Sequence, residues 1–170
     1  MDAPADRGSE DAPRVAAAGA SFSLIVPIRL VLGGLVLAGT LAAGGRPRSC
    51  VGGFVLGTFF VAFAALADRR SQLLRVAAEP EPLPPGARRE PPLRVAWRLM
   101  LPSTVVVIVL AVATLVAGRL VLAAILGGAA AGLGVAAAVT WLRVASWEAR
   151  HGVRLSFEQG GSKRRFIEPR

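Results

Sequence analysis

The chain has 170 residues, of which 54% are hydrophobic, and its mean hydropathy is +0.55. A water-facing domain rarely carries so large an apolar share, which excludes an ordinary soluble protein. The formal net charge of +9 would also suit a nucleic-acid-binding protein, since phosphate contacts need Lys and Arg. However, the arginines lie between and after the apolar runs, and no zinc-finger, RNP or helix-turn-helix pattern accompanies them. The composition predicts an integral membrane protein with no nucleic-acid partner.

The sequence of the N-terminal region predicts a polar tail followed by two membrane spans that form a hairpin. Residues 1–21 mix acids and arginines with no apolar period, so we expect a disordered cytoplasmic tail. Residues 22–67 form the first predicted hairpin, with spans at 24–43 and 51–67 joined by a Gly/Pro turn. A cleaved signal peptide is the alternative, but it would begin with a short basic region, whereas this tail is long and carries four acids.

Arg29 is a charged residue inside the first predicted span. It lies one turn inside the start of the apolar run, so we expect its side chain to snorkel back to the lipid headgroups. The alternative is a buried charge with a functional role, because ionisable residues inside membranes often mark functional sites.

The second predicted hairpin covers residues 101–142. The almost wholly apolar stretch from 105 to 141 has 37 residues, which would make a helix of about 55 Å at about 1.5 Å per residue. A bilayer core is only about 30 Å thick, so a single straight helix is excluded. Two antiparallel spans, at 101–117 and 120–142, turning at Gly118-Arg119, place the one charge of the stretch at the membrane surface.

Pairs of glycines mark predicted helix-packing faces. Gly53 and Gly57 in the second span, and Gly128 and Gly132 in the fourth, have the small-x-x-x-small spacing that lets helix backbones approach closely in lipid. We expect the spans to pack on one another through these positions.

Residues 68–100 are predicted to form a proline-rich basic cytoplasmic loop. A short helical continuation to about Val76 precedes prolines that forbid a regular helix or a central strand. A semi-rigid linker is the expectation, and a proline-rich ligand for a partner domain is the alternative. At the end of the loop, an interfacial helix carries Trp97 and Arg98 at headgroup level.

Residues 143–170 predict a basic cytoplasmic tail. Trp141, Arg143 and Trp147 would lie at the headgroups, and the helix is expected to end at Gly152. Apolar and polar residues then alternate on both sides of a glycine pair at 160–161, which predicts a small β-hairpin in which Glu158 faces Lys163.

The distribution of basic residues predicts the orientation. With four spans, sixteen of the twenty Lys and Arg residues share the side of the termini and the long loop, while Arg46, Arg48 and Arg119 lie on the other side. The positive-inside rule therefore predicts cytoplasmic termini in a bacterial plasma membrane, with anionic headgroups as partners. Cys50, near an outer turn, is expected to react with an impermeant thiol reagent added outside the cell.

Candidate chemistry is sparse. Glu148 and His151 share a helical face and could hold a metal, but a metal bundle needs more ligands, so we expect them to be solvated or paired with arginines. Ser103 and Thr104 have no neighbouring base, and no predicted span contains an acid of the kind that proton-coupled carriers use. The hydroxyls of four span threonines are expected to bond back to their own helices; these are Thr40, Thr58, Thr114 and Thr140. The sequence predicts no catalytic residue, no metal site and no cofactor.

The segment Trp147-Glu148-x-x-His151-Gly152-Val153 follows the last span and precedes a basic hairpin. It resembles the tail of small multi-pass membrane proteins of actinobacteria that have no assigned activity, and the resemblance therefore implies no site.

Together these patterns predict an all-α membrane protein of four transmembrane helices in two antiparallel hairpins, with a small C-terminal cytoplasmic β-hairpin. The expected role is non-enzymatic: an accessory, scaffold or assembly component that contacts another membrane protein or lipid. A small oligomeric channel or transporter is the alternative, and a membrane enzyme comes third.

Overall fold

The computed structural model describes residues 14–75, 81–84, 87–159 and 165–169. This part of the chain is mostly helical and carries a small sheet, as predicted. In chain order, its elements are β1 (Arg14–Ala17), α1 (Ala18–Ala42), α2 (Pro47–Arg75), β2 (Glu81–Pro82), β3 (Arg88–Arg89), α3 (Pro92–Val116), α4 (Leu120–His151), β4 (Val153–Gln159) and β5 (Arg165–Pro169).

Three helices are long and apolar enough to cross a membrane: Ala20–Ala42 in α1, Pro47–Ala67 in α2, and α4. The helix α3 is bent by 53° between Pro92–Arg98 and Pro102–Val116, and it is a fourth candidate if the two parts form one span. The described part of the chain therefore has three or four helices that could span a membrane.

The helix α4 lies at the centre of the bundle because its surface is built largely of Gly and Ala. It packs along both α1 and α2 and also contacts α3. In contrast, α1 and α2 touch each other little, and within the described residues α2 and α3 make no contact. The sequence neighbours α1 and α2 are thus not each other's main packing partners, whereas α3 does pack mainly on its neighbour α4.

The chain repeats one arrangement, a strand followed by two helices, at a constant spacing. The starts of β1 and β3, the bounds of α1 and α3, and the turn residues Gly44 and Gly118 are all 74 residues apart. Both turns carry the sequence Thr-Leu-x-Ala-Gly. Both also use the same backbone bonds, from Gly44 N to Leu41 O and from Gly118 N to Leu115 O. The chain is therefore a tandem of two units with the same element order and the same turn, although α1 and α2 touch little whereas α3 packs on α4.

The sheet joins segments from three parts of the chain in the order β2-β5-β4-β1-β3. The strands β4 and β5 pair antiparallel, as the predicted C-terminal hairpin requires. The glycine tip at 160–161 and the pairing of Glu158 with Lys163 lie outside the described residues. The expectation of a disordered tail is wrong for residues 14–21, because β1 pairs with both β4 and β3 and α1 begins at Ala18. Residues 1–13 of that predicted tail lie outside the described residues.

The sheet is attached to the end of α4. Leu155 of β4 and Val144 of α4 are buried together, with Trp147 and Ile167 packed against them. The helix ends at Gly152, whose φ of 65° is left-handed, so the chain reverses there into β4, as the sequence predicts.

Candidate functional site

Arg29 is the one buried charged residue among those whose burial the structure describes. The residue is only 5% exposed. Its Nε donates to Thr104 Oγ1 at 3.1 Å, and one terminal nitrogen donates to Ser103 Oγ at 2.9 Å. Two neighbouring hydroxyls of α3 thus accept from two N–H groups of the planar guanidinium of α1, a geometry that a point-charged lysine would not reproduce.

Helix α4 closes a third side of this site. A Cβ added to Gly134 would lie 3.2 Å from Arg29 Cβ, so only glycine gives α4 this close approach without displacing its neighbours. None of the four predicted spans contains Asp or Glu. The two hydroxyl dipoles stabilise the charge inside the bundle, which lowers the cost of removing it from water.

This geometry differs from the expected snorkelling of Arg29 to the headgroups. The side chain lies among α1, α3 and α4 instead of on the surface. Sequence reasoning considered Ser103 and Thr104 only as nucleophiles and missed them as partners of Arg29. The sequence did carry a signal for this pairing: two adjacent hydroxyl residues begin one apolar run, and a lone charged residue lies near the start of another.

The residues predicted at the headgroup level fall into two groups. Trp97, Arg98 and Arg143 are exposed, and Trp97 lies on the short arm of α3 before its bend. Trp141 and Trp147 are half-buried, and Trp147 contributes to the cluster beneath the sheet. The structure does not gather these residues into one site.

The four predicted packing glycines lie where α2 meets α4. A Cβ at Gly57 would overlap the Ile125 carbonyl oxygen, and one at Gly132 would come within 2.6 Å of Thr58 O. A Cβ added to Gly53 would lie 3.1 Å from Ile125 Cγ1. These contacts bring the two backbones together, as small residues permit.

Glu148 and His151 each contact a different part of the structure. Glu148 Oε1 accepts a hydrogen bond from Leu155 N at 2.8 Å, which links α4 to β4. The His151 ring stacks on Trp147 with centroids 4.5 Å apart. Within the described part of the chain, no group of three or more His, Cys, Asp or Glu side chains could hold a metal ion.

The span threonines behave as predicted. Thr40 and Thr58 bond to the carbonyls of Leu37 and Phe54, each within its own helix. Thr114 and Thr140 do the same. Thr104 is different, because its hydroxyl accepts a bond from another helix.

Cys50 is fully buried, at 0% exposure. It lies against the turn between α1 and α2, where a Cβ on Gly45 would approach its sulfur within 2.6 Å. Its expected reaction with an external reagent is therefore blocked by packing, whichever way the protein faces.

The chain matches no known protein family, and comparisons with curated proteins and with solved structures found no similar protein.

Proposed function

We propose that the protein is a membrane-embedded accessory or scaffold component that crosses a bacterial plasma membrane four times and presents a sheet in the cytoplasm. The observation that carries this proposal is the single sheet built from the segments before α1, between α2 and α3, and after α4. Four apolar helices anchor this sheet at one end of the bundle, which suits a rigid surface for contact with another membrane protein.

The sheet supports four membrane crossings, because its strands lie on one side of the membrane and the chain between them must cross an even number of times. Paired strands lie on one side of a bilayer, because their polar backbones need partners that lipid does not supply. The helices between β1 and β2 must then cross an even number of times, and so must those between β3 and β4. Since α1, α2 and α4 each have the length and apolarity of a span, α3 completes the second pair.

The charges favour a cytoplasmic sheet. Exposed arginines at the sheet end of the bundle include Arg94, Arg98, Arg143 and Arg154, whereas the short turns at the other end carry only Arg46, Arg48 and Arg119. Basic residues are retained on the cytoplasmic side. Anionic headgroups there would attract each nearby arginine by about 1 kcal/mol.

Site-specific photocrosslinking in native membranes tests the role. A photoreactive residue would replace exposed Arg154 in β4, and a matched probe would replace exposed Arg119 in the opposite turn. We expect Arg154 to give one discrete foreign adduct, identified by mass spectrometry, and Arg119 to give none. Adducts only between copies of this chain would contradict the scaffold role and favour a homo-oligomer.

A small channel or transporter is the second candidate, and the tandem repeat favours it. Transporters are often built from repeats, with the substrate site at the interface between them. Arg29 of α1 bonds to residues of α3, the corresponding helix of the second unit. Flux of anions through liposomes containing the purified protein, lost in Arg29→Leu but kept in Arg119→Leu, would establish this alternative.

A further inference from the structure

The bend of α3 is not explained by its proline alone. Proline lacks an N–H and its ring crowds the preceding turn, so it permits a kink. Both α1 and α3 contain a proline, at Pro27 and Pro102. Yet Ala20–Ala42 forms one continuous candidate span, whereas α3 bends by 53° before Pro102. A proline therefore permits a bend without fixing its size, and the contacts of α3 on either side of Pro102 can select it.

The hydroxyls that Arg29 holds lie directly after that bend. Ser103 and Thr104 are the first two residues after Pro102, and both accept bonds from the guanidinium. On the other side of the bend, Ala96 of the short arm is buried with Ile25 of α1 and Ala137 of α4. The same helix α1 therefore contacts α3 on both sides of its hinge.

We propose that Arg29 is a positioning residue that holds α3 bent at Pro102. Its two bonds fix the start of the long arm, so that the short arm, Pro92–Arg98, lies at an angle to the long arm. Leu93 and Trp97 then stay exposed while Val95 and Ala96 are buried. Because β3 immediately precedes this arm, the bend also sets where β3 meets β1.

A distance measurement in the full-length protein tests this proposal. Spin labels would replace Leu93 and Leu142, which are 53% and 57% exposed on the short arm and on α4, in a Cys50→Ala background reconstituted into liposomes. Straightening a seven-residue arm through 53° would move its tip by about 9 Å, given about 1.5 Å of rise per residue. We expect Arg29→Leu to shift the label distance by several ångströms.

A triple variant separates bending from folding. Ser103→Ala with Thr104→Val leaves a buried charge without these two partners and is expected to destabilise the protein. Adding Arg29→Leu removes the buried charge as well, so we expect stability to recover in part while the distance stays shifted. The matched controls are Arg119→Leu, at an exposed arginine, and Thr114→Val, whose hydroxyl bonds only within its own helix; both should keep the parent distance. A folded triple variant with the parent distance would overturn the proposal, as would an equal shift in either control.

Discussion

Gly128 of α4 lies directly against the backbone of Phe54 in α2. A Cβ added to Gly128 would overlap the Phe54 carbonyl oxygen and lie 2.8 Å from its carbonyl carbon. A backbone group does not rotate aside as a side chain does, so the helices themselves would have to separate. We expect Gly128→Ala to lower the free energy of unfolding by about 1–3 kcal/mol, the usual cost of overpacking, measured by unfolding in mixed micelles.

The control for this change is Gly52→Ala. Gly52 also lies inside α2, but an added Cβ there meets nothing within 4 Å. Because alanine favours helices over glycine by about 1 kcal/mol, Gly52→Ala should leave stability equal or higher. Equal losses at both positions would mean that α2 and α4 do not pack through Gly128.

The packing face of α2 was predictable in part, because glycines at a spacing of four fall on one side of a helix. The partner was not predictable from periodicity, which gives a face and no neighbour. The second contact face of α4 shows this limit. Gly127 approaches α1 so closely that its added Cβ would lie 2.8 Å from Val36 Cγ1. In a segment so rich in Gly and Ala, almost every face looks small enough to pack.

The two interhelical turns should respond alike to substitution, since they are corresponding parts of the repeat. Gly44 and Gly118 have φ values of 86° and 72°, and an added Cβ would meet no neighbour within 4 Å at either position. Alanine there carries only the backbone penalty of a left-handed conformation, about 1–2 kcal/mol. We expect Gly44→Ala and Gly118→Ala to lower thermal stability by similar amounts.

Gly34→Ala is the matched control for the turns, because Gly34 lies inside α1 with open space around it. It should not destabilise the protein. A loss at only one of the two turns would show that the turns are not equivalent in energy, which would weaken the description of the fold as a tandem of two similar units.

The sheet could be predicted only at its C-terminal hairpin. There the alternation of apolar and polar residues is long enough to indicate strands, as in Val153–Gln159. In contrast, β1 is four residues long and β2 and β3 only two each, too short to show a period. Their strand character comes from pairing across the fold. The prolines did indicate one feature correctly: Pro82 lies in an edge strand, where a missing N–H is tolerated.

Cysteine labelling will test the orientation, with introduced cysteines because Cys50 is buried. In a Cys50→Ala background, Arg119→Cys and Arg154→Cys place thiols at exposed positions in the outer turn and in β4. We expect an impermeant maleimide to label the first in intact cells and the second only after lysis. Labelling of both positions, or of Arg154→Cys alone, in intact cells would contradict cytoplasmic termini. The unmodified chain should stay unlabelled until detergent unfolds it.

The link between α4 and the sheet gives the last prediction. Glu148 Oε1 accepts the Leu155 amide, which is the point where β4 begins to pack against the helix. Glu148→Ala leaves that amide without this acceptor, at a cost of about 1–3 kcal/mol, whereas Glu148→Gln keeps an oxygen in reach. We therefore expect amide hydrogen exchange at Leu155 and its neighbours in β4 to rise about tenfold or more in Glu148→Ala, following that loss of free energy. The rise should be smaller in Glu148→Gln.

His151→Ala is the control, because the His151 ring stacks on Trp147 and makes no part of the bond between Glu148 and Leu155. If His151→Ala and Glu148→Ala loosened the sheet equally, and a chelator loosened the sheet of the parent protein but of neither variant, the two side chains would form a metal site.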